Sequence, residues 1–154
     1  MNIVFLDFDG VLTTRRTDYA FDPELFEKLR RLLEKTGAYI VITSSWRSNT
    51  KEDTIREITN PANPSVKDNP FPFTDRIIGV TPRTGAWLRG QEIAAWFKRH
   101  EKHPEIQKAR YVILDDQKDF LESQKEHLIQ TAASAGLSDE DVNKAIKILN
   151  NENL

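Results

Sequence analysis

The chain has 154 residues, enough for one domain with a real core and too few for two, so residues 1–154 are expected to fold as a single unit. Charged residues make up 30% and hydrophobic ones 38%, the balance of a globular protein in water, and a net charge of −2 excludes a global field that would draw the chain to nucleic acid or membrane. Cysteine is absent, which excludes disulfides, thiolate catalysis and cysteine-held metals. The opening residues lack a basic, apolar leader and no stretch has membrane length, so a cytoplasmic protein without a membrane partner is expected.

The apolar run Ile3-Val4-Phe5-Leu6 reads as a buried strand, and it ends in Asp7-Phe8-Asp9-Gly10-Val11-Leu12. After a polar stretch, Asp22-Pro23 reads as a helix N-cap with proline at the first helical position. Leu25, Phe26, Leu29, Leu32 and Leu33 line one helical face, and Gly37 closes the helix. A second buried strand, Tyr39-Ile40-Val41-Ile42, ends in Thr43-Ser44-Ser45-Trp46-Arg47. A helix is expected over roughly Lys51 to Ile58. Asn60 to Pro72 holds four of the seven prolines and reads as an irregular loop.

Ile77-Ile78-Gly79-Val80 is a short strand candidate, and Gln91 to Arg99 a helix with Ile93, Trp96 and Phe97 on one side. The third strong strand, Tyr111-Val112-Ile113-Leu114, ends in Asp115-Asp116. His127 to Thr131 reads as a further, edge strand. A capping box of Ser138 with Asp141 opens a last helix bearing Val142, Ala145, Ile146 and Leu149. This alternation predicts an α/β fold with a doubly wound, mostly parallel sheet. No inserted segment is long enough for a cap domain, so the site is expected to be open.

In such sheets ligands bind beyond the carboxyl ends of the strands. Asp7 and Asp9 stand at one such end, one residue apart, and suit a hard cation such as Mg²⁺ that takes oxygen ligands and shares them with a phosphate. Asp115 and Asp116 place like charges together at another, which is costly unless a cation or basic partner offsets them. Arg89 precedes a helix N-terminus, a setting favourable to anions. The histidines His100, His103 and His127 have no metal-ligand spacing with one another.

Asp7-x-Asp9-Gly10-Val11-Leu12 after an apolar strand resembles the first motif of the haloacid dehalogenase (HAD) superfamily of phosphohydrolases. Ile40-Val41-Ile42-Thr43 resembles its second motif, and Val112-Ile113-Leu114-Asp115-Asp116 its fourth in the double-aspartate form. Ser44-Ser45-Trp46-Arg47, Arg89-Gly90-x-Glu92-Ile93 and the tail from Gly136 extend the likeness to a small capless branch, which includes the HAD domain of bacterial "Swiss Army Knife" RNA-repair proteins.

The resemblance implies a HAD-like Rossmannoid fold and a Mg²⁺-dependent phosphomonoesterase. Asp7 would attack phosphorus to give an aspartyl phosphate, and Asp9 would act as general acid and base. Thr43 or Ser44 would donate a hydroxyl to a phosphate oxygen, with Thr43 preferred as the first residue after the apolar run. Mg²⁺ would be held by Asp7, the main-chain carbonyl of Asp9 and Asp116, with Asp115 behind them. Arg89 would stand where the family uses Lys to bind phosphate and restrain the nucleophile's charge; Arg83 and Lys98 are its rivals. Asp119 lies one position closer than the third acid of a common variant, which leaves its role open.

Arg15, Arg16, Tyr19, Trp46, Arg47, Arg83 and Trp87 follow strand ends and are expected to rim the pocket. Trp46 and Trp87 also read as core or edge packing. An arginine and aromatic rim suits a phosphorylated nucleoside or a single strand. Substrate binding is accordingly assigned to Arg47, Trp46 and Arg83, and the partner to a phosphorylated small molecule or a nucleic-acid end. A phosphate-sensing or protein-interaction module with little turnover is the alternative. Its mark would be loss of either leading Asp, and both are present.

Overall fold

The computed structural model describes residues 1–85 and 88–152. Five strands form one sheet in which every pairing is parallel: β1 (Asn2–Leu6), β2 (Tyr39–Ile42), β3 (Ile77–Val80), β4 (Arg110–Asp115) and β5 (Leu128–Gln130), in the order β3-β2-β1-β4-β5. Five α-helices accompany it: α1 (Pro23–Thr36), α2 (Lys51–Ile58), α3 (Arg89–Arg99), α4 (Pro104–Gln107) and α5 (Asp139–Leu149).

The inner strands are continuous apolar runs through residues 3–6, 40–42 and 112–114 because both faces of the sheet are covered there. Val4, Leu6, Ile40, Ile42, Val112 and Leu114 pack on one side against Leu25, Leu29 and Leu32 of α1 and Val142, Ala145 and Leu149 of α5. The alternate residues Ile3, Phe5, Val41 and Ile113 pack on the other against Ile93 and Trp96 of α3 and Ile106 of α4. The period-two alternation of a strand thus feeds two cores from one sheet.

Local chemistry sets the helix ends as expected. Asp22 accepts a hydrogen bond from the Glu24 amide at 2.9 Å, and Gly37, at φ 65°, donates its N–H to Leu33 O at 2.8 Å. Ser138 and Asp141 exchange the two hydrogen bonds of a capping box, each 3.0 Å.

Three features differ from expectation. α3 begins at Arg89, two residues before the expected start. Gly90 does not break it: the helix start fits tightly against the 120–124 segment, and a Cβ there would meet the Leu121 amide at 3.0 Å. The short helix α4 and a 3₁₀ turn over Glu122–His127 carry no strong periodic signal in the sequence. The proline-rich loop after α2 is irregular, yet it buries Val66, Phe71 and Phe73 in the first core. There Phe71 lies within 6 Å of the rings of Phe8, Phe21, Phe26 and Phe73 (5.7–5.9 Å). Among the described residues no separate cap covers the carboxyl edge of the sheet, and no helix is long and apolar enough to cross a membrane.

Candidate active site

The register of the central strands assembles the site. Leu6 of β1 lies opposite Ile42 of β2 and Leu114 of β4, so the next residues, Asp7, Thr43 and Asp115, come side by side. The Thr43 amide donates to Leu6 O at 2.9 Å, and the Asp7 amide to Leu114 O at 3.0 Å, which carries the ladder one step past the strands.

Asp7 is 2% exposed. Its Oδ2 lies 2.6 Å from Arg89 Nη1, and the same nitrogen lies 2.7 Å from Asp115 Oδ2. Arg89 is therefore the cation between two buried carboxylates. Its rivals are elsewhere: Lys98 sits on the exposed face of α3 near Glu101 at 3.7 Å, and Arg83 donates to the carbonyls of Arg47 (2.7 Å) and Ser45 (3.3 Å). Burial, then the neighbouring Asp115, push the Asp7 carboxyl up to about 7, against the pull of Arg89. Burial likewise raises Asp115, again opposed by Arg89. The Arg89 guanidinium is held firmly in its charged form by the two carboxylates, against the cost of its own burial.

Two buried oxygens at this end have no hydrogen-bond partner among the described residues: Asp7 Oδ1 and Thr43 Oγ1. Unpaired buried polar atoms are costly and rare, and they collect where something else binds. Ser44 differs from Thr43, because its hydroxyl accepts the Trp46 amide at 3.2 Å in a local turn.

Asp7, Asp115 and Asp116 each offer a carboxylate oxygen within 4.8 Å of the others, a donor set that suits a hard divalent cation. Such a cation would favour the ionised form of Asp7 and reverse the effect of burial. Gly10 makes room for this group. It sits at φ 79°, and a Cβ there would lie 2.6 Å from Asp116 Oδ2. Gln130 Nε2 donates to Asp116 O at 3.2 Å, and the Gln117 amide donates to Asp115 Oδ1 at 2.9 Å, which fixes the turn after β4.

The Asp9 carboxylate does not join the acidic group. A tight turn follows β1, in which Phe8 O accepts the amides of Val11, Leu12 and Thr13 at 3.0, 2.8 and 3.2 Å. The turn points Asp9 toward Thr13 and Trp46: Thr13 Oγ1 donates to Asp9 Oδ1 at 2.9 Å, and Trp46 Nε1 to Asp9 Oδ2 at 3.1 Å. Of the expected metal contacts of Asp9, only the main-chain carbonyl is left.

The expected rim is largely dispersed. Arg47 does not rim the pocket: its side chain is 3% exposed. Its Nε donates to Thr81 O at 2.8 Å, its Nη1 to Thr43 O and Ser44 O at 3.0 and 2.9 Å, and its Nη2 lies 2.9 Å from Glu92 Oε2. It ties the ends of β2 and β3 to α3 from within. The signal for this was Glu92 itself, an acid beside the apolar Ile93 on a buried helix face, which requires a buried partner. Arg16 pairs with Asp22 and Glu24. Trp46 is half-buried against Phe8 (5.3 Å) and Phe21 (5.1 Å). Arg15, Arg83 and Tyr19 are exposed, Asp119 lines a cleft of about 260 Å³ with Leu88, Arg89, Gln117 and Phe120, and Trp87 lies outside the described residues. A larger cleft, about 450 Å³, is lined by Arg30, Gly37, Phe73 and Arg76 at the opposite end of the sheet, away from the carboxylates.

A search of curated proteins and one of solved structures find no match to this chain. A family model described as the HAD domain in Swiss Army Knife RNA repair proteins matches residues 3–142, a span that runs from within β1 through β5 and holds the acidic strand ends. The chain therefore belongs to that family of HAD domains and has its α/β Rossmannoid fold without a large cap.

Proposed function

We propose that this chain is a Mg²⁺-dependent phosphomonoesterase that works through an aspartyl phosphate on Asp7. The observation that carries the reading is the pair of unpaired buried oxygens, Asp7 Oδ1 and Thr43 Oγ1, at adjacent strand ends beside the Arg89 guanidinium. A nucleophile, a hydroxyl donor and a cation converge there, as phosphoryl transfer needs.

Asp7, Asp116 and the Asp9 carbonyl would hold the metal, with Asp115 supporting them, and when bound it would neutralise phosphate charge and keep Asp7 ionised. Thr43 Oγ1 donates to a phosphate oxygen, and Arg89 balances the charge of Asp7 and the phosphate. Asp7 forms a bond to phosphorus while the ester oxygen leaves with a proton from Asp9. Water then attacks the aspartyl phosphate, Asp9 takes its proton, and the Asp7–phosphorus bond breaks to release inorganic phosphate.

The substrate we favour is a nucleotide or a nucleic-acid terminal phosphate. An uncapped edge admits a bulky substrate, and the family's association with RNA repair points the same way. The test is a panel of sugar phosphates, nucleotides and 3′- or 5′-phosphorylated oligonucleotides, assayed with Mg²⁺ and with chelator. Phosphate release that needs Mg²⁺, is highest on nucleotides or oligonucleotides and is absent in Asp7→Asn is expected. Release that survives chelator or Asp7→Asn would overturn the mechanism, and preference for sugar phosphates would overturn the substrate class alone.

A further inference from the structure

Asp9 is an acid with an unusual pair of neighbours. Its two oxygens accept from different donors, Thr13 Oγ1 at 2.9 Å and Trp46 Nε1 at 3.1 Å, and the two donors come from separate parts of the chain. Thr13 is fully buried in the turn after β1. Trp46 stands 37 residues from Asp9, in the turn after β2. Its position is fixed twice: its amide donates to Ser44 Oγ at 3.2 Å, and its ring packs on Phe8 and Phe21, with centroids 5.3 and 5.1 Å apart. Phe8 lies between Asp7 and Asp9 in the chain, so the ring that seats Trp46 belongs to the same turn as both acids.

We propose that Trp46 is a positioning residue for Asp9, aiming its carboxyl at the oxygen of the departing group. This rests on the phosphatase reading above. An indole N–H can only donate, so it fixes one oxygen of Asp9 whatever the state of the other. A hydroxyl can donate or accept, so Thr13 can follow a proton on or off Asp9. The aromatic cluster around Phe21, Phe26 and Phe71 makes the mount stiff. The indole is thereby engaged with Asp9 and its cluster rather than offered as a stacking platform for a substrate base.

The proton transfer at issue is that of the first step. As the Asp7 oxygen bonds to phosphorus and the phosphorus–ester bond breaks, the Asp9 proton passes to the ester oxygen, leaving Asp9 as a carboxylate. An alkoxide leaving group needs that proton, whereas a nitrophenolate leaves well without it. Misaiming Asp9 should therefore injure the two classes unequally.

The experiment compares wild type, Trp46→Phe and Thr13→Val on p-nitrophenyl phosphate and on a nucleoside monophosphate, with Mg²⁺. Trp46→Phe keeps a ring on Phe8 and Phe21 and removes the N–H; Thr13→Val keeps the shape and removes the hydroxyl. Because both esters share the later hydrolysis of the aspartyl phosphate, in which Asp9 also takes part, the readout is kcat/KM, which reports the first step alone. The expected result is a fall in kcat/KM of about 10- to 100-fold on the nucleotide and a change within about threefold on the aryl ester. Equal losses of kcat/KM on both esters, or none on either, in folded protein would overturn the proposal. Thr13→Val carries the test should Trp46→Phe fold poorly. A wild-type protein inactive on both esters and on the phosphorylated oligonucleotides would instead overturn the phosphatase reading. The contact has its own readout: the Trp46 indole N–H resonance should shift in Asp9→Asn, and a resonance that does not respond would overturn the placement whatever the activity.

Discussion

Two neighbouring parts of this molecule treat buried polar atoms in opposite ways. At the ends of β1 and β2, Asp7 Oδ1 and Thr43 Oγ1 are buried with no partner among the described residues. A few ångströms of chain further on, in the turn after β2, Arg47 is buried as deeply, yet its Nε and Nη1 donate to three carbonyls, and its Nη2, which makes no hydrogen bond among the described residues, has its charge met by Glu92 at 2.9 Å. The first region holds unmet hydrogen-bonding capacity, the mark of a binding site. The second uses a charge as a brace. A charged side chain in a loop after a strand is thus no guide to binding by itself; what matters is whether its polar atoms are already engaged.

The contrast can be broken or sharpened by substitution. The largest effect is expected from Asp7→Asn, which should cut phosphate release by more than about 10³-fold, since the amide is not a nucleophile. Circular dichroism should show the fold retained; normal turnover in the folded variant would remove Asp7 from the chemistry. Arg47→Ala should act on stability rather than on substrate choice. It leaves Glu92 buried without its cation and frees three carbonyls, a loss of about 3–5 kcal/mol by urea unfolding. An unchanged unfolding midpoint with kcat/KM reduced only on oligonucleotides would return Arg47 to the substrate rim.

Asp116→Ala should weaken Mg²⁺ binding about tenfold or more by calorimetry and diminish the rise in Tm that Mg²⁺ gives the wild type. Equal affinity in the two proteins would place the ion elsewhere. The smallest and most telling effect is expected from Thr43→Val. Loss of an unpaired buried hydroxyl should leave the protein as stable or more so, by up to about 1 kcal/mol, while kcat/KM falls about tenfold. A variant that loses stability and keeps its rate would show that Thr43 is bracing, like Arg47.

Much of the fold was legible because its signals are local. The strands are short apolar runs that end in polar clusters, and Asp22-Pro23, Gly37 and Ser138 mark helix ends through hydrogen bonds that span a few residues. The convergence of Asp7, Thr43 and Asp115 was legible too, given a parallel sheet, because it needs only that neighbouring strands end together. The indole bond to Asp9 was not, since the turn that rotates Asp9 away from Asp115 depends on which carbonyl the amides of residues 11–13 find. The two extra residues at the start of α3 have a related cause: Gly90 belongs to the helix because its missing side chain allows a close approach to Leu121 and Gln124, contacts distant in the sequence.

Gly10 gives that last point a wider reach. It has no side chain to bind, donate or attack, yet any Cβ there would press on the Asp116 carboxylate. A mutational scan scored by activity would rank position 10 beside the acids, and a search for reactive groups would pass over it. The carboxylate cluster is therefore defined as much by an empty volume as by its oxygens, and an engineer redesigning this pocket has one position that must stay bare.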